Sequence, residues 1–218
     1  IYASTNKVYG DNPNKINFQE QETRYEISNN HRYYKGIDET MSIEDCVHSF
    51  FGTSKLSADL LVQEYGKNLG LKTVCFRGGC LTGSSHSGAE LHGFLSFLVK
   101  TISNKKEYKI FGYKGKQVRD NLHSSDLVNA FWEFYQKPKK GAVYNIGGSR
   151  VSNCSILEAS NLIGKILKIE PKTKYIKKNR VGDHMWWITN NRKFVKDFPN
   201  WKIKYDIEKI IYEMVRNK

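Results

Sequence analysis

The side chains best able to do chemistry in this sequence fall in a few short strings. Ser4 and Thr5 close the apolar opening Ile1-Tyr2-Ala3 and lead into Asn6-Lys7-Val8-Tyr9-Gly10. A hydroxyl such as that of Thr5 both donates to and accepts from a reacting hydroxyl, which orients it and stabilises developing charge. Lys7 could serve as a base at neutral pH if burial or a nearby cation lowers its pKa. Phe51-Gly-Thr-Ser-Lys55 sets a phenyl ring and an ammonium four residues apart, on one face of a helix. Arg77-Gly78-Gly79-Cys80-Leu81-Thr82-Gly83 follows an apolar run, and glycines there let backbone approach a ligand. Cys80 reads either as a reactive thiol or as a small buried hydrophobe. Arg119, in Gly115-Lys-Gln-Val-Arg-Asp120, offers a guanidinium fork suited to phosphate oxygens. His92 precedes a helical pattern and could face a polar ligand or solvent.

The elements that must position these groups alternate in type. Ser49 to Gly70 reads as a helix ended by Gly70, with Leu56, Leu60 and Leu61 as its buried stripe, Ala58 as a small neighbour, and Gln63, Glu64 and Lys67 on the wet side. A strand over 73–76 follows, so helix and strand make half of a βαβ unit. Apolar residues at 91, 94, 95, 98 and 99 predict a second helix, and 108–111 a short strand. Ser125 or Asp126 is placed to cap a helix over 127–135, and 144–148 reads as another strand end. Beyond Val151 the pattern gives a helix over 155–168, a strand over 173–176 and an amphipathic helix over 201–217. Residues 11–46 are polar and broken, reading as a loop over the site or as disorder.

The formal net charge is +13 over 218 residues, but the lysines are spread over predicted helix surfaces, with no basic arm or recognition helix. A positive cleft for a phosphate-bearing small substrate accounts for the balance without nucleic acid. No long apolar run predicts a membrane span, and no leader pattern opens the chain. Cys46, Cys75, Cys80 and Cys154 lack C-x-x-C spacing, which predicts reduced thiols in a cytoplasmic protein and no metal site.

Taken in order, these strings resemble the extended short-chain dehydrogenase/reductase family of NAD-dependent nucleotide-sugar epimerases and dehydratases. Its helix signature Y-x-x-x-K is matched at Lys55, with Phe51 in the Tyr position. Its strand end S-[ST]-x-x-V-Y-G is matched by 4–10, with Thr5 on the catalytic Ser/Thr. The string Ser-Thr-Asn-Lys-Val-Tyr-Gly is most similar to that of CDP-tyvelose (CDP-paratose) 2-epimerases, and Asn6 and Lys7 replace the acidic pair of the dehydratases. The pattern G-x-Q-x-R-D-x-x-H-x-x-D is matched by 115–126. Arg180-Val-Gly-Asp183 resembles the R-x-G-D element that closes on a sugar nucleotide. Cys80 stands where the family carries an Asn near the substrate diphosphate.

The resemblance implies an α/β chain: the C-terminal part of a doubly wound, Rossmann-like parallel sheet with a smaller α/β substrate-binding domain. The expected division is 1–83 and 117–149 for the Rossmann part, 84–116 for an excursion, and 150–218 for the small domain. It implies NAD as cofactor, touched by Ser4, Thr5, Lys55, Gly78 and Gly79. The substrate is a nucleotide-diphosphate sugar, touched by Cys80, His92, Arg119, Arg180 and Asp183. A homodimer or higher homo-oligomer is expected of the full-length protein. Epimerisation would proceed by transient hydride transfer to NAD. Phe51 has no ionisable proton, which leaves open a relocated base (Lys7, His92 or a residue of the half expected to be missing), a binding protein without catalysis, and an engineered substitution. No glycine-rich phosphate loop is present, so the chain reads as a fragment that alone binds NAD poorly.

Overall fold

The computed structural model describes residues 1–86, 88–90, 93–180 and 182–217. Strand β1 (Tyr2–Thr5) runs into a 3-10 turn at Asn6–Tyr9. The short hairpin β2 (Gln19–Glu20) and β3 (Tyr25–Glu26) follows, then helix α1 (Phe50–Leu69), β4 (Val74–Gly78) and β5 (Cys80–Thr82). Next come α2 (Phe94–Ser103), β6 (Tyr108–Phe111), β7 (Val118–His123), α3 (Ser124–Gln136) and β8 (Ala142–Ile146). The chain ends with β9 (Asn153–Ser155), α4 (Ile156–Leu167), β10 (Thr173–Ile176), β11 (Trp186–Trp187), α5 (Arg192–Asp197) and α6 (Ile207–Arg216).

β1, β4 and β8 form a parallel sheet in the order β1-β4-β8, with Thr5 opposite Gly78 and Gly78 opposite Ile146. Successive strand residues point to opposite faces. Arg77 therefore meets Asp59 of α1, while Phe76 meets Phe131 and Phe134 of α3, so the two helices cover opposite faces. β7 is the hub of a second sheet, pairing in parallel with β5 and β11 and antiparallel with β9. A third core joins α2, α4 and α6 over β6, with Leu98, Val99, Ile163 and Ile210 fully buried.

Helix α1 has the expected limits, but its expected stripe holds only in part: Leu56 packs half-buried against the core of Trp186 and Trp187, and Glu64 and Lys67 are exposed as expected. Ser49 caps its start by accepting from the Gly52 amide, and Gly70 ends it in the left-handed region at φ 72°. The buried residues are Gly52, Asp59, Gln63 and Gly66, whereas Leu60 and Leu61 are exposed. Two physical reasons apply. A Cβ at Gly66 would sit 2.2 Å from the Gly141 amide nitrogen, so the helix approaches the start of β8 too closely for a large side chain. Asp59 is also drawn inward by Arg77 at 2.9 Å, and Gln63 follows by donating to Asp59 at 2.7 Å.

Residues 11–46 are neither a disordered segment nor a cover for the cavity described below. Ile27, Tyr33, Ile37 and Met41 pack with Trp186, Trp187 and Ile188 in a core of their own. Arg24 is tied to Glu158 at 2.7 Å and to Asn153 at 2.9 Å. The cap of α3 is His123, whose Nδ1 accepts from the Ser125 amide. Asp126 instead accepts from the amides of Lys204 and Tyr205, fastening the C-terminal segment to α3. The last helix starts at Ile207, because Trp201 is committed to the core against Phe194.

Candidate active site

Strand ends and one helix start bring the predicted groups to one cavity of about 510 Å³. β1 contributes Ser4 and Thr5, the following turn Lys7, and the first turn of α1 Phe51. Gly78 and Gly79 close β4, Cys80 opens β5, and Arg119 stands on β7. Arg180 and Asp183 complete the lining from the segment between β10 and β11.

Lys55 does not line this cavity. Its ammonium donates to the Ala3 carbonyl at 2.6 Å and lies 4.4 Å from the centre of the Tyr2 ring. That places it beside β1, two residues before Thr5, with Phe51 on the cavity side. His92 lies outside the described residues, as does Leu91 of the expected apolar stripe. Ser4 turns its hydroxyl to Asp59 at 2.5 Å, leaving Thr5 as the hydroxyl of the pair not bound to that carboxylate.

The charged groups are held by one another. Arg119 forms an ion pair with Asp183 and donates to the Val118 carbonyl at 2.7 Å. Lys7 donates to the Gly182 carbonyl at 2.9 Å. Burial, reinforced by repulsion from Arg119, brings the Lys7 ammonium down to about 8, against the pull of Asp183. Burial would raise the Asp183 carboxyl, but Arg119 and Lys7 outweigh it and hold it below the usual carboxylate range. The Cys80 thiol is pushed up to about 11, chiefly by burial, so at neutral pH it is a protonated thiol rather than a nucleophilic thiolate. Beside them, burial and then Lys7 and Arg119 hold His184 well below its ordinary value. Its Nε2 faces the Gly10 carbonyl at 2.8 Å, so that nitrogen carries the proton.

The lining also includes residues not singled out from the sequence. Phe94 and Leu95 of α2, Tyr108 and Phe111 of β6, and Ile156 form an apolar wall. Asn121 stands with Arg119 on one face of β7, and Gln117, just before the strand, continues the alternation. That alternation was readable once β7 was recognised as a strand. The apolar wall was not, because its residues are scattered over three elements.

Parallel strands covered by helices on both faces, with a cavity at the strand ends, are the architecture of a Rossmann-like fold. Residues 1–147 match the NAD dependent epimerase/dehydratase family, and the chain belongs to that family. It is 34% identical over 177 residues to the CDP-paratose 2-epimerase of Salmonella typhi, a match covering 78% of this chain and 50% of that protein. The chain thus spans about half the length of this relative. Among solved structures, the dTDP-glucose 4,6-dehydratase of Bacillus anthracis in complex with NAD superposes with a TM-score of 0.72 at 24% identity. That match covers 99% of this chain and 60% of that one. The UDP-glucose 4-epimerase of Thermus thermophilus, also in complex with NAD, gives 0.76 at 18% identity, covering 99% and 62%. Both likenesses establish the α/β fold with its parallel sheet.

Proposed function

We propose that this chain forms the sugar-nucleotide side of an NAD-dependent epimerase acting on a nucleotide-diphosphate sugar of the CDP-paratose/tyvelose type. The observation that carries the reading is the run of groups along one cavity: the Thr5 hydroxyl at the end of β1, Lys7 beside it, then Arg119 and Arg180 with Asp183. In this reading Thr5 orients the reacting sugar hydroxyl, and the two arginines hold the diphosphate. Asp183 keeps Arg119 aimed, and Cys80 packs as a neutral thiol against the sugar.

The residues present fit the nicotinamide-ribose end of NAD. Lys55 spends one of its three hydrogens on the Ala3 carbonyl, leaving two for ribose hydroxyls beside β1. Gly78 and Gly79 would offer backbone there, although at Gly79 the lack of a side chain is already called for by the chain's own packing. A Cβ at Gly79 would lie 2.6 Å from Asp120 Oδ1 and one at Gly78 would lie 3.3 Å from Leu81. When bound, NAD would supply the hydride acceptor and donor for a sugar carbon.

Phe51 cannot take the hydroxyl proton, so the reading gives that work to Lys7. An ammonium at about 8 releases and regains a proton near neutral pH, as a general base and acid must. The missing hydroxyl also favours a second reading, a sugar-nucleotide-binding protein without catalysis. NMR of a CDP-sugar pool incubated with NAD and the natural full-length protein separates the two. The first reading expects 2-epimer to form, to vanish with Lys7→Met and to persist with Phe51→Tyr. Turnover that arises only with Phe51→Tyr would establish the second.

A further inference from the structure

We infer that Lys7 is a modification site: an acyl phosphate held by Arg119 and Arg180 transfers its acyl group to the Lys7 amine. The inference rests on the reading of these arginines as phosphate holders and is independent of epimerase activity.

Lys7, Arg119 and Arg180 line one cavity, and the charge of each arginine acts on the Lys7 nitrogen. The arginines are fixed without being saturated. Among the described residues Arg119 gives one hydrogen to Asp183 and one to the Val118 carbonyl, and Arg180 gives one to the Glu90 carbonyl. A guanidinium has about five to give, in a fork that suits phosphate oxygens. The amine is held as well, since Lys7 donates to the Gly182 carbonyl at 2.9 Å. A neutral amine that donates one hydrogen there keeps a second hydrogen and its lone pair.

Attack on an acyl carbon needs that lone pair. Burial, reinforced by Arg119, brings the Lys7 ammonium down to about 8. At about pH 7.5 roughly a quarter of it is then free amine, against about one part in a thousand for a lysine at its reference value. A weaker base is also a weaker nucleophile, as among thiols, which leaves a net advantage of about tenfold. The neighbouring Cys80 does not compete, because burial pushes its thiol up to about 11 and keeps it protonated. In the step, the nitrogen lone pair forms the bond to the acyl carbon and the acyl carbon–oxygen bond to the phosphate breaks. Phosphate leaves with that electron pair and takes up the proton that the nitrogen sheds, its charge met by the arginines. The product amide keeps an N–H for the Gly182 carbonyl and carries no charge for Arg119 to repel. It is no longer a base, so acylation would switch off any proton transfer that Lys7 performs.

The test is acetylation of the 218-residue chain at about pH 7.5, with the initial rate at each lysine read by peptide mass spectrometry. With acetic anhydride, which offers the arginines no phosphate, Lys7 should lead the median lysine by about tenfold. With acetyl phosphate the lead should grow by about a further tenfold, because the reagent is held beside the amine. Saturating inorganic pyrophosphate should remove that second gain, and denaturing urea should remove both. A Lys7 rate no higher than that of the other lysines, equal leads with the two reagents, or a lead that survives urea overturns the inference. Calorimetry with pyrophosphate separates the failures. Pyrophosphate bound without a Lys7 lead overturns the inference and leaves the phosphate reading standing, whereas no pyrophosphate binding overturns that reading with it.

Discussion

Replacing Lys7 by Met should stabilise the chain at neutral pH, an unusual result for removing a hydrogen-bonded lysine. The ammonium falls from 10.5 to about 8 on folding, which at about 1.36 kcal/mol per unit is roughly 3 kcal/mol of penalty on the charged form. Lys7 is only half-buried, and water in the cavity screens it, so the penalty is discounted to about 1–2 kcal/mol. The lost bond to the Gly182 carbonyl, 2.9 Å long, is part of that discount. The sign follows from proton counting. Between the folded value near 8 and the unfolded value of 10.5, the unfolded chain holds a proton that the folded chain has released. Stability from this group therefore rises with pH across that window, and the penalty is fully present below it. Urea unfolding of both proteins from about pH 7 to about pH 10.5 reads the difference, since other lysines cancel in the comparison. The variant should lead by about 1–2 kcal/mol at the acid end and by nothing at the alkaline end. A variant less stable at neutral pH, or a difference that ignores pH, would refute the argument. A cation kept at a cost to the fold is what a site for an anionic ligand requires, so CDP binding should narrow the gap.

The remaining expectations concern the scaffold, the diphosphate and the outer face of α1. Asp59→Ala leaves the Arg77 guanidinium buried without its partner and should cost about 3–5 kcal/mol in urea unfolding; a loss below about 1 kcal/mol would show that water reaches Arg77. Arg119→Ala should weaken CDP by about 1.5–3 kcal/mol in calorimetry, and unchanged affinity would remove it from the site. Leu61, Tyr65 and Leu69 form an exposed apolar stripe on α1 at i, i+4, i+8. If the expected homodimer uses it, Leu61→Lys with Leu69→Lys should give monomers in sedimentation velocity; a sedimentation coefficient identical to that of the parent would separate the stripe from assembly.

The sequence made most of the site legible because strand ends are marked by glycine and hydroxyl residues. Thr5, Gly78, Gly79 and Cys80 sit where those marks put them, and all line the cavity. The helix limits were equally plain, since Ser49 and Gly70 are strong cap residues. The face of α1 was not, because hydrophobic periodicity assumes that burial follows apolarity. Here a buried ion pair and a close glycine contact decide it instead. Residues 11–46 misled for a related reason. Ile27, Tyr33, Ile37 and Met41 are too widely spaced to show any period, yet all belong to one core with Trp186 and Trp187.

The buried polar face of α1 also bears on Phe51. Asp59 grips the Ser4 hydroxyl at 2.5 Å and both arms of the Arg77 fork, at 2.9 and 3.1 Å. Arg77 reaches the Tyr9 hydroxyl at 3.1 Å, which in turn donates to Asn145 at 2.7 Å. Charge-assisted bonds thus join α1, β1, the turn after it and β4, a neutral bond from Tyr9 carries the network on to β8, and low dielectric strengthens each link. Phe51 lies eight residues before Asp59 on the same helix, roughly 12 Å along its axis. Its height over Thr5 is therefore set by the network, without the ring taking part. Phe51 is 56% exposed as a residue and belongs to no core cluster of the described residues. Nothing in that packing demands a phenyl group rather than a phenol at that position. The chemistry of position 51 is separable from the fold, so Phe51→Tyr changes what the cavity can do with a proton while leaving the scaffold that aims it intact.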